Sequence, residues 1–95
     1  MNLHLDNQLF IVGGATSGFG KAIATALVAE NAKVIAIARS EAQLQLLQQQ
    51  YPANIEILAI DITQPIAIEK LLVLVDERQL HGIIVNAGGY LQKLF

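Results

Sequence analysis

Cysteine is absent from the 95 residues, which removes disulfides, thiolate nucleophiles and cysteine-based zinc sites from consideration. Charge is scarce as well. Charged residues make up 15% of the chain and hydrophobic ones 54%, against a usual charged share of about 25%. Disordered chains show the reverse balance, so a folded domain is expected. Six lysines and arginines are scattered under a net charge of −2. Without a basic cluster, neither nucleic acid nor an anionic membrane is expected as a partner. No apolar run approaches the roughly 18–20 residues of a membrane span. Met1-Asn2-Leu3-His4-Leu5-Asp6 lacks the basic-then-apolar order of a signal peptide, and a cytoplasmic protein is expected. The two histidines, His4 and His81, stand far apart in sequence, so no metal site is expected either.

At this length the chain is one domain, residues 1–95, since single domains are commonly about 100–150 residues. Short, largely β-branched apolar runs recur at Leu9–Val12, Val34–Ala38, Ile57–Ile60 and Ile83–Val85. They are continuous rather than alternating, which is the pattern of a strand buried on both faces. Three helical segments lie between them. The first runs from about Gly18 to Glu30, and Asn31 suits the left-handed residue that closes a helix. The second opens at Ser40, with Gln43 at capping-box spacing, and sets Leu44, Leu47 and Tyr51 on one face. The third begins near Pro65, with Ile68, Leu71, Leu72 and Val75 as its expected apolar side.

The order β-α-β-α-β-α-β predicts an α/β fold, a parallel sheet with helical crossovers. Right-handed crossovers place the first two helices on one face if the chain moves outward from strand 1 to strand 3. A return to put strand 4 beside strand 1 sends the third helix to the other face. The predicted sheet order is 3-2-1-4, the opening half of a doubly wound Rossmann-type fold, with a ligand crevice where the order reverses.

Directly after strand 1 comes Gly13-Gly14-Ala15-Thr16-Ser17-Gly18-Phe19-Gly20. A strand, a glycine-rich turn and a helix start make an anion site, because glycine lets backbone approach a phosphate and the free N–H groups of the helix start attract its charge. A plain βα turn is the bland alternative, and four glycines in eight positions weigh against it. The P-loop pattern fails: counting back from Gly20-Lys21 lands on Ala15, and Ala22 follows Lys21. G-x-G-x-x-G fails too, because Gly18-x-Gly20 leads to Ile23. What remains is Gly14-x-x-x-Gly18-x-Gly20.

That spacing resembles the cofactor loop of the short-chain dehydrogenase/reductase family, usually T-G-x-x-x-G-x-G. Asp61-Ile62-Thr63 after strand 3 and Asn86-Ala87-Gly88-Gly89 after strand 4 resemble the family's acidic adenine-side residue and its N-A-G motif. The resemblance covers essentially the whole chain. It implies that Gly14, Gly18 and Gly20 shape a pyrophosphate turn, and that Ser17 and the Phe19 backbone contact phosphate. Asp61 and Ile62 would flank the adenine, while Asn86, Ala87 and Gly88 would line the adenosine side and brace strand 4. Gly13 stands where the family usually has Thr, and Phe19 where it has Ile or Leu. The bland alternatives are that Asp61 helps start the third helix and that Asn86 only forms a turn.

Strand 2 ends Ala38-Arg39-Ser40, where NAD-preferring proteins carry an acidic residue for the ribose hydroxyls. An arginine there can pair with a 2′-phosphate, so NADP(H) is expected over NAD(H). The alternative is that Arg39 is a solvated loop charge.

The family's chemistry rests on a strand-5 Ser and a Tyr-x-x-x-Lys pair, in which the Tyr acts as acid or base. Neither is present. Tyr90-Leu91-Gln92-Lys93 has its lysine one place too early, and it follows the N-A-G loop too closely. No catalytic residue is therefore expected, and the chain alone is expected to be inactive. One helix about 10 Å wide covers roughly two strands spaced about 4.8 Å apart, so the third helix should leave strand 4 partly bare. An apolar face of that kind points to a missing C-terminal half or to self-association. Two functions fit: the NADP(H)-binding portion of an oxidoreductase, or a non-catalytic nucleotide-binding or regulatory module. S-adenosylmethionine, a third ligand, explains the glycine loop but not Asp61 with Asn86-Ala87-Gly88.

Overall fold

Four parallel strands form one sheet in the order β3-β2-β1-β4, in a computed structural model that describes residues 5–85. The strands are β1 (Leu9–Gly13), β2 (Lys33–Ala38), β3 (Ile55–Ala59) and β4 (Leu80–Val85). Helices α1 (Gly18–Ala29), α2 (Glu41–Gln50) and α3 (Ile66–Val75) connect them. The sheet order, strand direction and helix count match the sequence expectation. The motif at Asn86, Ala87 and Gly88 lies outside the described residues.

Alternating side chains along the strands feed two cores. Val12, Val34, Ala36 and Ile55 meet Ala24 of α1 and Leu44 and Leu47 of α2 on one face. Leu9, Ile11, Ile35 and Ile37 meet Leu71, Leu74 and Val75 of α3 on the other. Among the described residues no polar or charged side chain is buried, so hydrophobic burial holds the sheet between its helices.

Local signals set the helix ends. Asn31 adopts φ 63° just past α1, a left-handed turn that asparagine tolerates better than most residues. The Ser40 hydroxyl accepts the Gln43 N–H at 3.3 Å, capping α2. Pro65, at φ −58° and ψ −34°, is already set for the first turn of α3.

Three details differ from the sequence expectation. Strand β3 starts two residues earlier than expected, because Ile55 is buried and the polar Glu56 pairs in register with Ile35. Strand β4 also starts earlier, at Leu80, and carries an irregularity. Leu9 pairs with Leu80 but Phe10 pairs with Gly82, leaving His81 as the extra residue of a bulge. Its Nδ1 accepts the Leu9 N–H at 3.1 Å. The third difference is the buried face of α3. Ala67, Leu71, Leu74 and Val75 point inward, whereas Ile68 and Leu72 are each 66% exposed. Nearly every position of this helix is apolar, so periodicity does not single out the packed side. Ile66, Val73 and, on β4, Ile83 are exposed with them. Among the described residues, the α3 side of the sheet is thus partly bare at Ile83, which pairs in register with Ile11.

Candidate functional site

The turn after β1 is built by two tight approaches. Gly14 and Ala15 both donate their N–H groups to the Ile37 carbonyl, at 2.8 and 3.1 Å, which ties the turn to the end of β2. Gly14 and Gly18 take φ 70° and 51°, the left-handed region glycine enters without steric cost. At Gly20 the helix passes so close to the turn that a Cβ would lie 2.0 Å from the Gly14 carbonyl oxygen. The result is a closed loop whose first helical amides, at Gly18, Phe19 and Gly20, precede the first i→i−4 bond, made by Lys21 to Ser17. Ser17 occupies the N-cap position, yet its hydroxyl makes no capping hydrogen bond. The Gly18, Phe19 and Gly20 N–H groups stand at the positive end of α1, where Ser17, Gly18 and Phe19 are exposed.

A groove of about 480 Å³ runs from this turn across the sheet end. Gly14, Thr16 and Ser17 form one end, Ile37, Ala38 and Arg39 the middle, and Ile60, Asp61, Ile62 and Thr63 the far wall. Ser40 and Gln43 of the α2 start complete it. Of the residues expected from sequence, Gly14, Ser17, Arg39, Asp61 and Ile62 therefore line one groove, although their positions span nearly fifty residues of chain. Gly18, Phe19 and Gly20 shape the turn rather than line the groove, and Phe19 is 70% exposed. Thr16, Ser40, Gln43 and Thr63 were not singled out as site residues. Ser40 and Gln43 carried a capping signal that pointed here without saying so.

Asp61 has a structural duty as well. Its Oδ1 accepts the Thr63 hydroxyl at 2.6 Å and the Thr63 N–H at 2.9 Å, a turn that leads the chain into α3. The Thr63 hydroxyl, then the Thr63 amide, hold the carboxyl below the usual carboxylate range, and the Arg39 guanidinium across the groove adds to the effect. A carboxylate with a depressed folded-state pKa contributes stability at neutral pH that is lost as pH falls through that pKa. Thr63→Val is expected to raise the Asp61 pKa toward the ordinary carboxylate value, as followed by carboxyl carbon NMR. The stability difference between Thr63→Val and wild type should shrink as acid protonates Asp61.

Gly13 is packed rather than free. A Cβ there would lie 3.2 Å from Ile62 Cδ1 and 3.6 Å from Val85, so Ile62 occupies space that a larger residue at position 13 would claim. Among the described residues, no group of three or more His, Asp or Glu could hold a metal ion, and no helix is long and apolar enough to cross a membrane.

Sequence comparison matches the short chain dehydrogenase family over residues 8–95. The chain belongs to this family. It is 37% identical over 70 residues to the 3-oxoacyl-(acyl-carrier-protein) reductase of Escherichia coli, covering 74% of this chain and 29% of that protein. An NADP-dependent 3-hydroxy acid dehydrogenase of Escherichia coli is 35% identical over 83 residues, 86% of this chain and 34% of that protein. A short-chain dehydrogenase structure from Streptomyces avermitilis superposes with a TM-score of 0.77 at 36% identity, over 86% of this chain and 31% of that one. The chain spans about a third of the length of the curated relatives it matches.

Proposed function

We propose that this chain is the NADP(H)-binding portion, one domain, of an oxidoreductase that moves hydride between a nicotinamide and a carbonyl or alcohol carbon. The observation that carries the reading is the turn at Gly14–Gly20, with first-turn amides ahead of the helix's first i→i−4 bond and a Ser17 hydroxyl that makes no cap, opening into a groove that reaches Arg39. The residues present fit a dinucleotide. The approach of Gly20 to Gly14 leaves the turn without a protruding side chain where a pyrophosphate would lie. Ser17 and the amides from Gly18 to Gly20 would hold that pyrophosphate. Asp61 and Ile62 would flank the adenine, and Asn86, Ala87 and Gly88 would line the adenosine side.

Arg39 would pair with the ribose 2′-phosphate, since Ala38 leaves no carboxylate at the end of β2 to repel one. A relative described as NADP-dependent supports that preference. When bound, the nicotinamide would carry the hydride, while the residues of this chain would bind and orient the cofactor. The apolar side of α3, with Ile68, Leu72 and Val73 exposed, is covered in the assembled protein by further polypeptide or by a second copy.

Fluorescence titration of the chain with NADPH and NADH tests the reading, with the mass in solution measured alongside. Saturable binding with NADPH the tighter ligand is expected. Absence of binding would remove the cofactor assignment, and tighter binding of NADH would remove the NADP preference.

A further inference from the structure

Gly13, the last residue of β1, is buried without a side chain of its own. Glycine inside a strand weakens it and packs nothing, so it marks a special backbone conformation or a close approach. Conformation is not the reason, since the glycines with positive φ are Gly14 and Gly18. Nor does another backbone crowd Gly13 as Gly14 crowds Gly20. Among the described residues the nearest backbone atom from outside β1 is Val85 Cα, across the β1–β4 ladder, at an ordinary 3.6 Å from a Cβ at position 13. The tight neighbour is a side-chain tip, Ile62 Cδ1 at 3.2 Å.

Ile62 has two surroundings. On one side it packs against the core of Leu9, Ile11, Ile35 and Ile37, the face to which strand alternation also turns position 13. On the other it lines the groove with Arg39 and Asp61. The backbone around it is braced, because Asp61 accepts both the amide and the hydroxyl of Thr63. The core side is full, with Ile11 and Ile37 buried. A larger residue at position 13 would therefore displace the Ile62 side chain rather than the turn, and the space open to that side chain is the groove.

We infer that Gly13 is a positioning residue for the groove: by omitting a side chain it lets Ile62 lie back on the α3-side core, and the size of residue 13 sets how much room a ligand's base finds beside Ile62. The inference rests on the dinucleotide reading above, in which the adenine lies against Ile62. Gly13 has no side chain with which to touch the ligand and acts through its neighbour. Ile62 stands on the adenine side and Arg39 at the end of β2, so a change at position 13 acts on NADPH and NADH alike. Interior packing transmits a displacement of this kind because it leaves few voids to absorb it.

The test is fluorescence titration of the 95-residue chain with NADPH and NADH, for wild type, Gly13→Ala, Gly13→Val, Ile62→Ala and each Gly13 variant combined with Ile62→Ala. Gly13→Val is expected to weaken both dinucleotides by one factor, about tenfold, and Gly13→Ala by about threefold, the scale of an overpacked contact. In the Ile62→Ala background, where the space is already open, Gly13→Val should cost less than about twofold, the mark of coupled positions. Gly13→Ala should also shift the NMR signal of the Ile62 δ1 methyl in the free chain, and NADPH should shift the same signal in wild type. Should Gly13→Val fail to fold by circular dichroism, Gly13→Ala with and without Ile62→Ala carries the comparison. A glycine that served only the strand would weaken binding equally in both backgrounds, which would overturn the inference and leave the cofactor reading in place. So would a changed NADPH-to-NADH ratio, or an Ile62 methyl signal that Gly13→Ala does not move. Failure of wild type to bind either dinucleotide would remove the cofactor reading and this inference with it.

Discussion

Gly20→Ala is expected to lower stability by about 3 kcal/mol or more, at the upper end for forced overpacking, and to abolish dinucleotide binding. The added Cβ would meet the Gly14 carbonyl oxygen at 2.0 Å, the Gly14 carbonyl carbon at 2.7 Å and Ala15 Cα at 3.4 Å. All three are backbone atoms, so no rotamer change relieves the contact. The turn is also unable to retreat. The Gly14 and Ala15 N–H groups are both bonded to the Ile37 carbonyl, and Ala15 is wholly buried. Either α1 moves away from the sheet, opening the core around Ala24, or the turn leaves β2. Both outcomes disperse the amides proposed above to hold the pyrophosphate.

Gly18→Ala provides the contrast. Its Cβ would meet nothing within 4 Å, and only φ 51° opposes it, a left-handed cost of about 1–2 kcal/mol. Chemical denaturation of the two variants should therefore rank Gly20→Ala clearly below Gly18→Ala. Equal losses would show that the turn and helix are not in the close contact described.

The same turn shows why so much was legible in the sequence. Four apolar runs and their helical connections specify a parallel sheet, because continuous apolar runs suit strands covered on both faces, as the central β1 and β2 are, and each crossover must be right-handed. Gly14, Gly18 and Gly20 can be read in advance because their backbone conformations and close contacts exclude other residues. The edges of the pattern are less readable. Glu56 and His81 are polar, so β3 and β4 look shorter than they are, yet ladder pairing to Ile35 and the Leu9 bond to His81 carry both strands further.

Helix α3 hides its inner face for the opposite reason. With Ile66, Ile68, Leu72 and Val73 apolar as well as exposed, a period of 3.6 has only Glu69 and Lys70 to contrast with. In the groove, Arg39 and Asp61 are legible because charge at a strand end has few uses. Thr16, Gln43 and Thr63 are ordinary polar residues whose placement depends on how α1, α2 and β3 come together. Asp61 organises the entry to α3, the plainer of the readings offered for it, and also lines the groove.

Ile35→Ala is expected to cost about 2–5 kcal/mol, the usual range for truncating a buried isoleucine. Ile35 has no exposed surface. It sits in β2 between β1 and β3 and shares a core with Leu9, Ile11 and Ile37 beneath α3. Domains of this kind are stable by about 5–15 kcal/mol, so the loss takes a large share of the total. Because β2 ends at Ala38, next to Arg39, loosening it also disorders the middle of the groove, and weaker NADPH binding should accompany the lower denaturation midpoint. Ile68→Ala removes the same atoms from the exposed side of α3 and should change stability by less than about 0.5 kcal/mol. Comparable losses at the two positions would mean that α3 packs on the sheet through the side assigned here to solvent, and that the sheet's second core is misplaced.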